Sequence, residues 1–429
     1  MHNDVAARSM TDSPAATGSP TNAVRVAVVG FGARAQIANH VATVRPGSSI
    51  AAVVDPTDRG RDRASLVHPS AEIFATVDAL LAAHREREGG VVDAAIVTSP
   101  DHTHESIAVA LLEAGIGVYL EKPLAIDVAG ADRVLTAAAA TGTALYVGHN
   151  FRHSDVVQTM RAIIARGEIG EVKAVWVRHF VGNGGDYYFK DWHADRSKTN
   201  TLLLQKASHD IDIVHYLASS YTRRVVGMGD LLVYGDIDDR RDRSGETMPD
   251  WFSLDNWPPA SHTGLNPVVD VEDVSMVLMT LDSGVMASYQ QCHFTPDYWR
   301  NYTVIGTEGR LENFGDTSGG TVRVWNRRHE WQERGDAEYP IGGVASGHDD
   351  ADITTMGEFF DHLVDGAPTI VSPLAAREAV AVGALAAASL RQGSVPVDIP
   401  PLPDHVSDYF AARTTPAPDS QPTSGRTSR

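Results

Sequence analysis

Three short stretches of this chain carry side chains whose types and spacing could build one chemical site. The first is Tyr119-Leu120-Glu121-Lys122-Pro123. The apolar run Gly117 to Leu120 reads as a strand, and Pro123 stops it because proline has no N–H for the next rung. A carboxylate and an ammonium are thus left at the carboxyl end of a buried strand, where open α/β sheets bind ligands. On this reading Lys122 is a catalytic lysine pointed at a bound substrate. The plainer alternative is a solvated Glu-Lys pair in a turn.

The second stretch is Leu203 to Ala218. Leu203, Ala207, Ile211, Val214 and Ala218 recur at helical spacing and predict one helix with an apolar stripe. Gln205, His209, Asp212 and Tyr216 form a polar stripe on another face. Residues three or four apart are neighbours there, so Gln205 and Asp212 are expected to flank His209 as supporting groups. Such partners could hold the imidazole in one tautomer as a general base. A solvated helix face with an ordinary histidine is the alternative.

The third stretch is Gly30-Phe31-Gly32-Ala33-Arg34-Ala35, a G-x-G-x-x-A turn after the apolar run Val24 to Val29 and before a predicted helix. The glycines allow a tight turn and close backbone approach to a diphosphate, and a helix start offers free N–H groups. A second strand, Ser49 to Val54, ends in Asp55, about 20 residues on, where a carboxylate can take ribose hydroxyls. Asp55 would repel a 2′-phosphate, so NAD is preferred over NADP. Arg59, Arg61 and Arg63 lie close enough to reach a phosphate instead.

The elements that must position these groups follow a regular rhythm. Strands at Ala94–Thr98 and Ala144–Val147, with helices at Glu105–Glu113 and Val128–Ala140, alternate with those above and predict a parallel, doubly wound sheet. The third strand leads into Ser99-Pro100-Asp101-His102-Thr103-His104. Its histidines lack metal spacing and accompanying ligands, so no metal site is expected. After Arg152 the pattern changes to a helix at Asp155–Ala165 and a strand at Val172–Val181. A glycine-rich aromatic loop follows, Gly182 to His193, suited to sugar or polyol recognition or to a lid. Arg152 and Trp192 are candidates for substrate contact. Further strands are expected at Val225–Val233, Ser275–Leu281, Val285–Gln291, Tyr302–Gly306 and Thr321–Trp325. The acidic segment from Gly235 to Asp270 reads as a long loop covering the sheet or a partner subunit. Helices at Thr354–Val364 and Leu374–Leu390 are expected to pack on the first domain.

The 429 residues hold 36 basic and 55 acidic side chains, a net charge of −19, with no basic footprint for nucleic acid. One cysteine, Cys292, fits a reducing compartment and a cytoplasmic protein. No run approaches the roughly 18 apolar residues of a membrane span. Residues 1–22 and 402–429, rich in Pro, Ser and Thr, read as disordered tails. Between them the expected domains are residues 23–150 and 151–401.

Together these residues resemble the Gfo/Idh/MocA family of NAD(P)-dependent oxidoreductases. The matching points are Gly30-Phe31-Gly32, Pro100 with His104, Glu121-Lys122-Pro123, Arg166-Gly167-Glu168-Ile169-Gly170 and Ser208-His209-Asp210-Ile211-Asp212, in family order. The resemblance implies an N-terminal Rossmann domain and an α+β C-terminal domain with a large, open, mostly antiparallel sheet. It implies sugar or cyclitol substrates and homodimers or homotetramers assembled through that sheet. It makes Lys122 the contact to substrate hydroxyl and nicotinamide and His209 the acid/base. Gly30, Phe31, Gly32, Ala33, Arg34, Asp55, Pro100, His104, Glu121 and Lys122 are the expected cofactor contacts. Where family members commonly carry an acidic residue four positions before the histidine, this chain has Gln205, which can orient a hydroxyl but not take up its proton. Lys206 beside it is expected to bind a substrate oxygen.

The leading expectation is therefore an NAD-dependent dehydrogenase acting on a ring hydroxyl of an inositol-like or sugar substrate. An NAD-dependent glycosidase that oxidises, eliminates and returns the hydride is a second possibility. A non-catalytic NAD-binding sensor is a third, against which Lys122 and His209 argue.

Overall fold

A computed structural model describes residues 23–342 and 349–415, with residues 349 and 350 in backbone only. The expected N-terminal tail, and the C-terminal one beyond residue 415, lie outside the described residues. The first domain carries strands β1 (Arg25–Val29), β2 (Ser49–Val54), β3 (Glu72–Phe74), β4 (Ala94–Val97), β5 (Gly117–Leu120) and β6 (Leu145–Val147). All pair in parallel, in the order β3-β2-β1-β4-β5-β6. Helices cover both faces, which is why β4 and β5 are buried at every position and read as unbroken apolar runs. The order reverses between β1 and β4, and the crevice at such a switch point is where ligands bind.

The second domain is one nine-stranded sheet of β7 (Val172–Val181), β8 (Thr222–Asp230), β9 (Val274–Leu281), β10 (Met286–Cys292), β11 (Tyr298–Gly306), β12 (Arg310–Phe314), β13 (Thr321–Trp325), β14 (Ala337–Pro340) and β15 (Val397–Asp398). Its order is β14-β13-β12-β11-β7-β10-β9-β8-β15, antiparallel except where β7 meets β10. Strict alternation along β9 buries Val277 and Met279 and turns Met276 and Leu278 outward. One face is thus covered by helices Asp155–Ala165 and Ser208–Ala218, while the other is open.

Helix Pro373–Arg391 joins the two cores. Ala376 and Val380 pack with the first domain, and Ala379, Val382 and Ala386 with the second. Gly383 lets it approach the chain at Leu203, where a Cβ would stand 2.7 Å from the carbonyl oxygen. This helix is long and apolar enough to cross a membrane by composition, but most of it is buried inside the molecule.

Three expectations are corrected. The predicted Leu203–Ala218 helix is two, Leu202–Gln205 and Ser208–Ala218, with a turn at Lys206 and Ala207. Residues 402–415 are not tail: Leu402, Val406 and Phe410, the last two on helix Asp404–Ala411, enter the core of the first domain. The glycine turn opens into a 3-10 helix, Ala33–His40, followed by one α-turn, Val41–Val44. The acidic insertion packs on the Gly182–His193 loop as well as on the end of β7: Trp251 Nε1 donates to the Asp186 carbonyl at 2.8 Å, Asn256 Nδ2 to the Asp186 carboxylate at 2.8 Å, and Leu265 shares a buried cluster with Val181.

Candidate active site

The carboxyl ends of β1, β2, β4 and β5 meet at the crevice. Gly30 has φ +88°, and a Cβ there would stand 2.7 Å from the Ser99 backbone nitrogen, so only glycine fits between the two loops. A Cβ on Gly32 would meet nothing within 4 Å, which leaves that backbone open to a ligand. The buried Asp55 carboxylate accepts from Phe31 N–H at 2.7 Å and from Thr57 N–H and Oγ1–H at 2.9 and 2.6 Å. A carboxylate has about four lone-pair sites, so it is fixed in place with capacity left for ribose hydroxyls. Glycine cradle and oriented carboxylate together fit a dinucleotide of the NAD type.

The three arginines after Asp55 are otherwise engaged. Arg59 donates to the Gly245 carbonyl at 2.7 Å and pairs with Asp250 of the insertion at 2.9 Å. Arg61 holds the Asp55 carbonyl at 2.8 Å, and Arg63 lies over the Phe31 ring at 5.2 Å. None is directed to a 2′-phosphate.

Two expected cofactor contacts also make hydrogen bonds within the protein. Arg34 donates to Glu121 at 2.6 Å and to both Asp352 oxygens at 2.5 and 2.8 Å. Its charge is balanced by two carboxylates, and with Glu121 it braces the crevice. His104 is buried with Nδ1 2.7 Å from the Pro123 carbonyl and Nε2 2.8 Å from the Ser99 carbonyl. It ties the turn containing Pro100 to the end of β5 and so sets the position of Lys122.

Lys122 Nζ donates to the Gln205 carbonyl at 2.8 Å. That carbonyl closes the short helix Leu202–Gln205, and the turn after it is what leaves the oxygen to Lys122. Burial lowers the Lys122 pKa, to about 8, with the buried Asp101 acting the other way and Lys206 adding to the fall. Burial in turn raises the Asp101 carboxyl, against the pull of His104, Lys122 and His193. His193 stacks on Trp192 with ring centroids 3.7 Å apart and contacts Asp191 at 2.5 Å. Trp192 is only partly buried.

His209 sits one turn past Gln205, buried, its ring edge-on to those of His149 at 5.6 Å and Phe151 at 6.4 Å. Burial holds His149 neutral, its pKa lowered to about 4, with Asp212 opposing and Arg152 and Lys122 adding. The Gln205 amide oxygen is buried and has no hydrogen-bond partner within the protein. Asp212, expected beside His209, is engaged by an arginine. It takes a two-pronged contact from Arg152, Nε at 2.6 Å and Nη2 at 2.7 Å. Arg152 also donates to the Ile370 carbonyl at 2.8 Å and lies over Tyr216 at 4.9 Å. Buried, with three of its five N–H donors engaged, it clamps Asp212 to the Ile370 segment.

Lys206 projects from the turn between the two helices. Its Nζ donates to Tyr298 Oη at 3.0 Å and lies 5.5 Å over the Tyr188 ring. Behind it is a polar cluster that sequence reasoning missed. Asp210, fully buried, is ion-paired with Arg300 at 3.1 Å and accepts from His179 Nδ1 at 2.9 Å, Tyr289 Oη at 3.2 Å and the Tyr302 hydroxyl. Burial acts to raise its pKa, but Arg300 and His179 outweigh it and hold the carboxylate below the ordinary range. Asp210 stands next to His209 in sequence, two residues from the Asp212 that the helical spacing selected. Its partners come from β7, β10 and β11, so no local pattern could have joined them. Among the described residues no group of His, Cys, Asp and Glu could hold a metal ion.

Residues 24–149 match the model for an oxidoreductase family with an NAD-binding Rossmann fold, and residues 157–312 match that for a GFO/IDH/MocA C-terminal domain. The chain is 33% identical to inositol 2-dehydrogenase 1 of Saccharopolyspora erythraea over 205 residues, 47% of this chain and 56% of that protein. An inositol 2-dehydrogenase of Klebsiella pneumoniae is 29% identical over 207 residues, again 47% of this chain and 56% of its own length. The matched region is therefore little over half of these relatives. Among solved structures, levoglucosan dehydrogenase with NADH and L-sorbose superposes at a TM-score of 0.71 and 17% identity, over 90% of this chain and 100% of that one. GenD2 from gentamicin A biosynthesis in complex with NAD gives 0.67 at 20% identity, over 91% and 100%. At these identities the structures speak to the fold.

Proposed function

The chain belongs to the Gfo/Idh/MocA oxidoreductases and carries their NAD-binding Rossmann domain, and from that premise we propose that it is an NAD-dependent dehydrogenase of a ring hydroxyl on a sugar or cyclitol. The observation that carries this reading is the Lys122 contact to the Gln205 carbonyl. It ties an ammonium from the cofactor domain to the segment that bears His209, which supports a shared role for the two side chains.

In this reading His209 takes the hydroxyl proton. Lys122 stabilises the charge that develops on the oxygen, a contribution that grows as the site excludes water. Gln205 offers its amide oxygen to orient a hydroxyl. Asp55 and the Gly30–Gly32 turn hold the cofactor, whose nicotinamide supplies the hydride chemistry. The inositol and levoglucosan dehydrogenases among the relatives support a polyol or sugar as substrate. The open face of the sheet supports self-association into a dimer or tetramer, since Trp176, Leu278 and Met286 are 53%, 62% and 66% exposed there.

The test is to follow NADH absorbance while the protein and NAD meet inositols, aldoses, sugar acids and their glycosides. Net NADH from one of them is expected. Cleavage of a glycoside with no net NADH would replace this reading with the glycosidase. Neither outcome, in a protein that binds NAD, would leave the sensor.

A further inference from the structure

Among the described residues most cations around the cleft have a carboxylate in contact or nearby. Arg300 has Asp210 at 3.1 Å, Arg152 has Asp212 at 2.6 Å, Lys190 has Asp186 at 2.7 Å, and Lys122 lies in the field of the buried Asp101. Lys206 has two aromatic rings and a phenol: Tyr298 Oη at 3.0 Å, the Tyr298 ring at 5.3 Å and the Tyr188 ring at 5.5 Å. Among the described residues no carboxylate forms an ion pair with it. A partly buried ammonium without a counter-charge is costly unless a ligand supplies one.

The wall beside Lys206 has a complementary character. The Tyr298 oxygen accepts from Lys206, so its own O–H is left to donate. His179 meets the Tyr298 ring edge-on at 5.6 Å, and His293 meets the Tyr188 ring at 5.2 Å. Both histidines are fully buried. His179 Nε2 and both His293 nitrogens have no partner within the protein. A neutral imidazole has one N–H. His179 uses Nδ1–H on Asp210, so its buried Nε2 is an acceptor without a donor in the protein. Burial chiefly keeps both rings neutral, with Arg300 adding to the effect at His179 and Lys206 a smaller influence at His293. The wall therefore offers an ammonium and a phenol to an anion and an imidazole lone pair to an alcohol.

We propose that Lys206 and Tyr298 form a carboxylate subsite beside Lys122, with His179 accepting a neighbouring hydroxyl, so that the substrate is a sugar acid rather than a neutral sugar. This rests on the dehydrogenase reading of the same cleft and narrows its substrate class. The reacting hydroxyl stays with Lys122 and His209, and the acid group anchors the ring on the turn that breaks the helix.

The experiment is calorimetric titration of the NAD-saturated protein with D-galacturonate, D-glucuronate and D-mannuronate, each against its neutral hexose. At least one uronate should bind about tenfold or more tighter than its hexose. Lys206→Met should remove that preference by weakening the acid, and Lys206→Arg should keep it. NAD binding measured in the same variants reports on their fold. The proposal is overturned if no uronate is preferred, or if the preference survives Lys206→Met. It is also overturned if Lys206→Arg loses the preference as fully as Lys206→Met, which would make shape and not charge the cause. A uronate that binds preferentially but yields no NADH would sink the hydride-transfer reading and leave the carboxylate subsite standing.

Discussion

Lys122 is the residue on which the proposed chemistry turns, and its environment makes a testable pH statement. Burial, opposed by Asp101 and reinforced by Lys206, lowers its pKa, to about 8. The ammonium is present below that value and lost above it. If its charge stabilises the alkoxide, kcat/KM for alcohol oxidation should fall as pH rises through about 8. Lys122→Met should bind NAD and lose turnover by about a hundredfold or more. Whatever activity Lys122→Arg retains should lack the alkaline limb, because a guanidinium does not deprotonate in this range. A wild-type profile that climbs smoothly from neutral to strongly alkaline pH would count against a charged Lys122. Lys206 does not confuse the test. Burial acts to lower its pKa, but Tyr188 and Tyr298 outweigh it and hold the group above its ordinary value.

At the scale of elements, the helix that follows Asp55 is built to keep that carboxylate still. Helix Asp58–Val67 is capped by Thr57, whose hydroxyl accepts from Gly60 N–H at 3.0 Å while donating to Asp55. Gly60 packs on the carboxylate so closely that a Cβ would stand 2.2 Å from Asp55 Cγ. Gly60→Ala should leave the helix intact, since alanine favours it, but push Asp55 away from Phe31 N–H and the ribose position. Losing charge-assisted hydrogen bonds of this kind costs about 1.5–3 kcal/mol. NAD affinity should therefore drop by about ten- to a hundredfold with an unchanged circular dichroism spectrum. Unaltered NAD affinity in a titration would show that Asp55 does not read the ribose.

For the whole molecule, two consequences follow from burial. His149 and His215 are held to pKa values of about 4 and His179 to about 3, in each case chiefly by burial. In the unfolded chain they titrate near 6.5, so between that pH and their folded values the unfolded state binds more protons. Stability should accordingly fall as pH drops below about 6.5, by up to about 1.4 kcal/mol per pH unit for each histidine. Thermal melts between pH 7 and 4 should show a steep loss of Tm, and a flat Tm over that range would contradict the assignment of these rings as neutral and buried. The second consequence concerns the open sheet face. Trp176, Ser288 and Leu278 lie in one row across β7, β10 and β9, with Met286 and Met276 in the rows beside it. A Trp176→Glu, Leu278→Glu double variant should sediment as a smaller species than the wild type while keeping its secondary structure. A wild type that already sediments as a monomer would remove the basis for assembly through this face.

The sequence alone determined the first domain well, because every signal there is local. An apolar run, a glycine turn and an acid about 20 residues on sit within one βαβ unit. The alternation that marks β7, β9 and β10 was equally legible, since period two survives in any strand with one buried face. What the sequence could not decide was who meets whom across the cleft. Helical spacing placed Asp212 beside His209, yet Arg152, distant in sequence, took Asp212 and left Asp210 to the cluster on the sheet. The apolar stripe of Leu203–Ala218 predicted one helix, but the Gln205 carbonyl goes to Lys122 and the ladder breaks there. Arg34 looked free for a diphosphate until Asp352 arrived from the far end of the chain to pair with it. In each case the competing partner is non-local, and the burial that makes a charge seek a partner exists only once the two domains are packed.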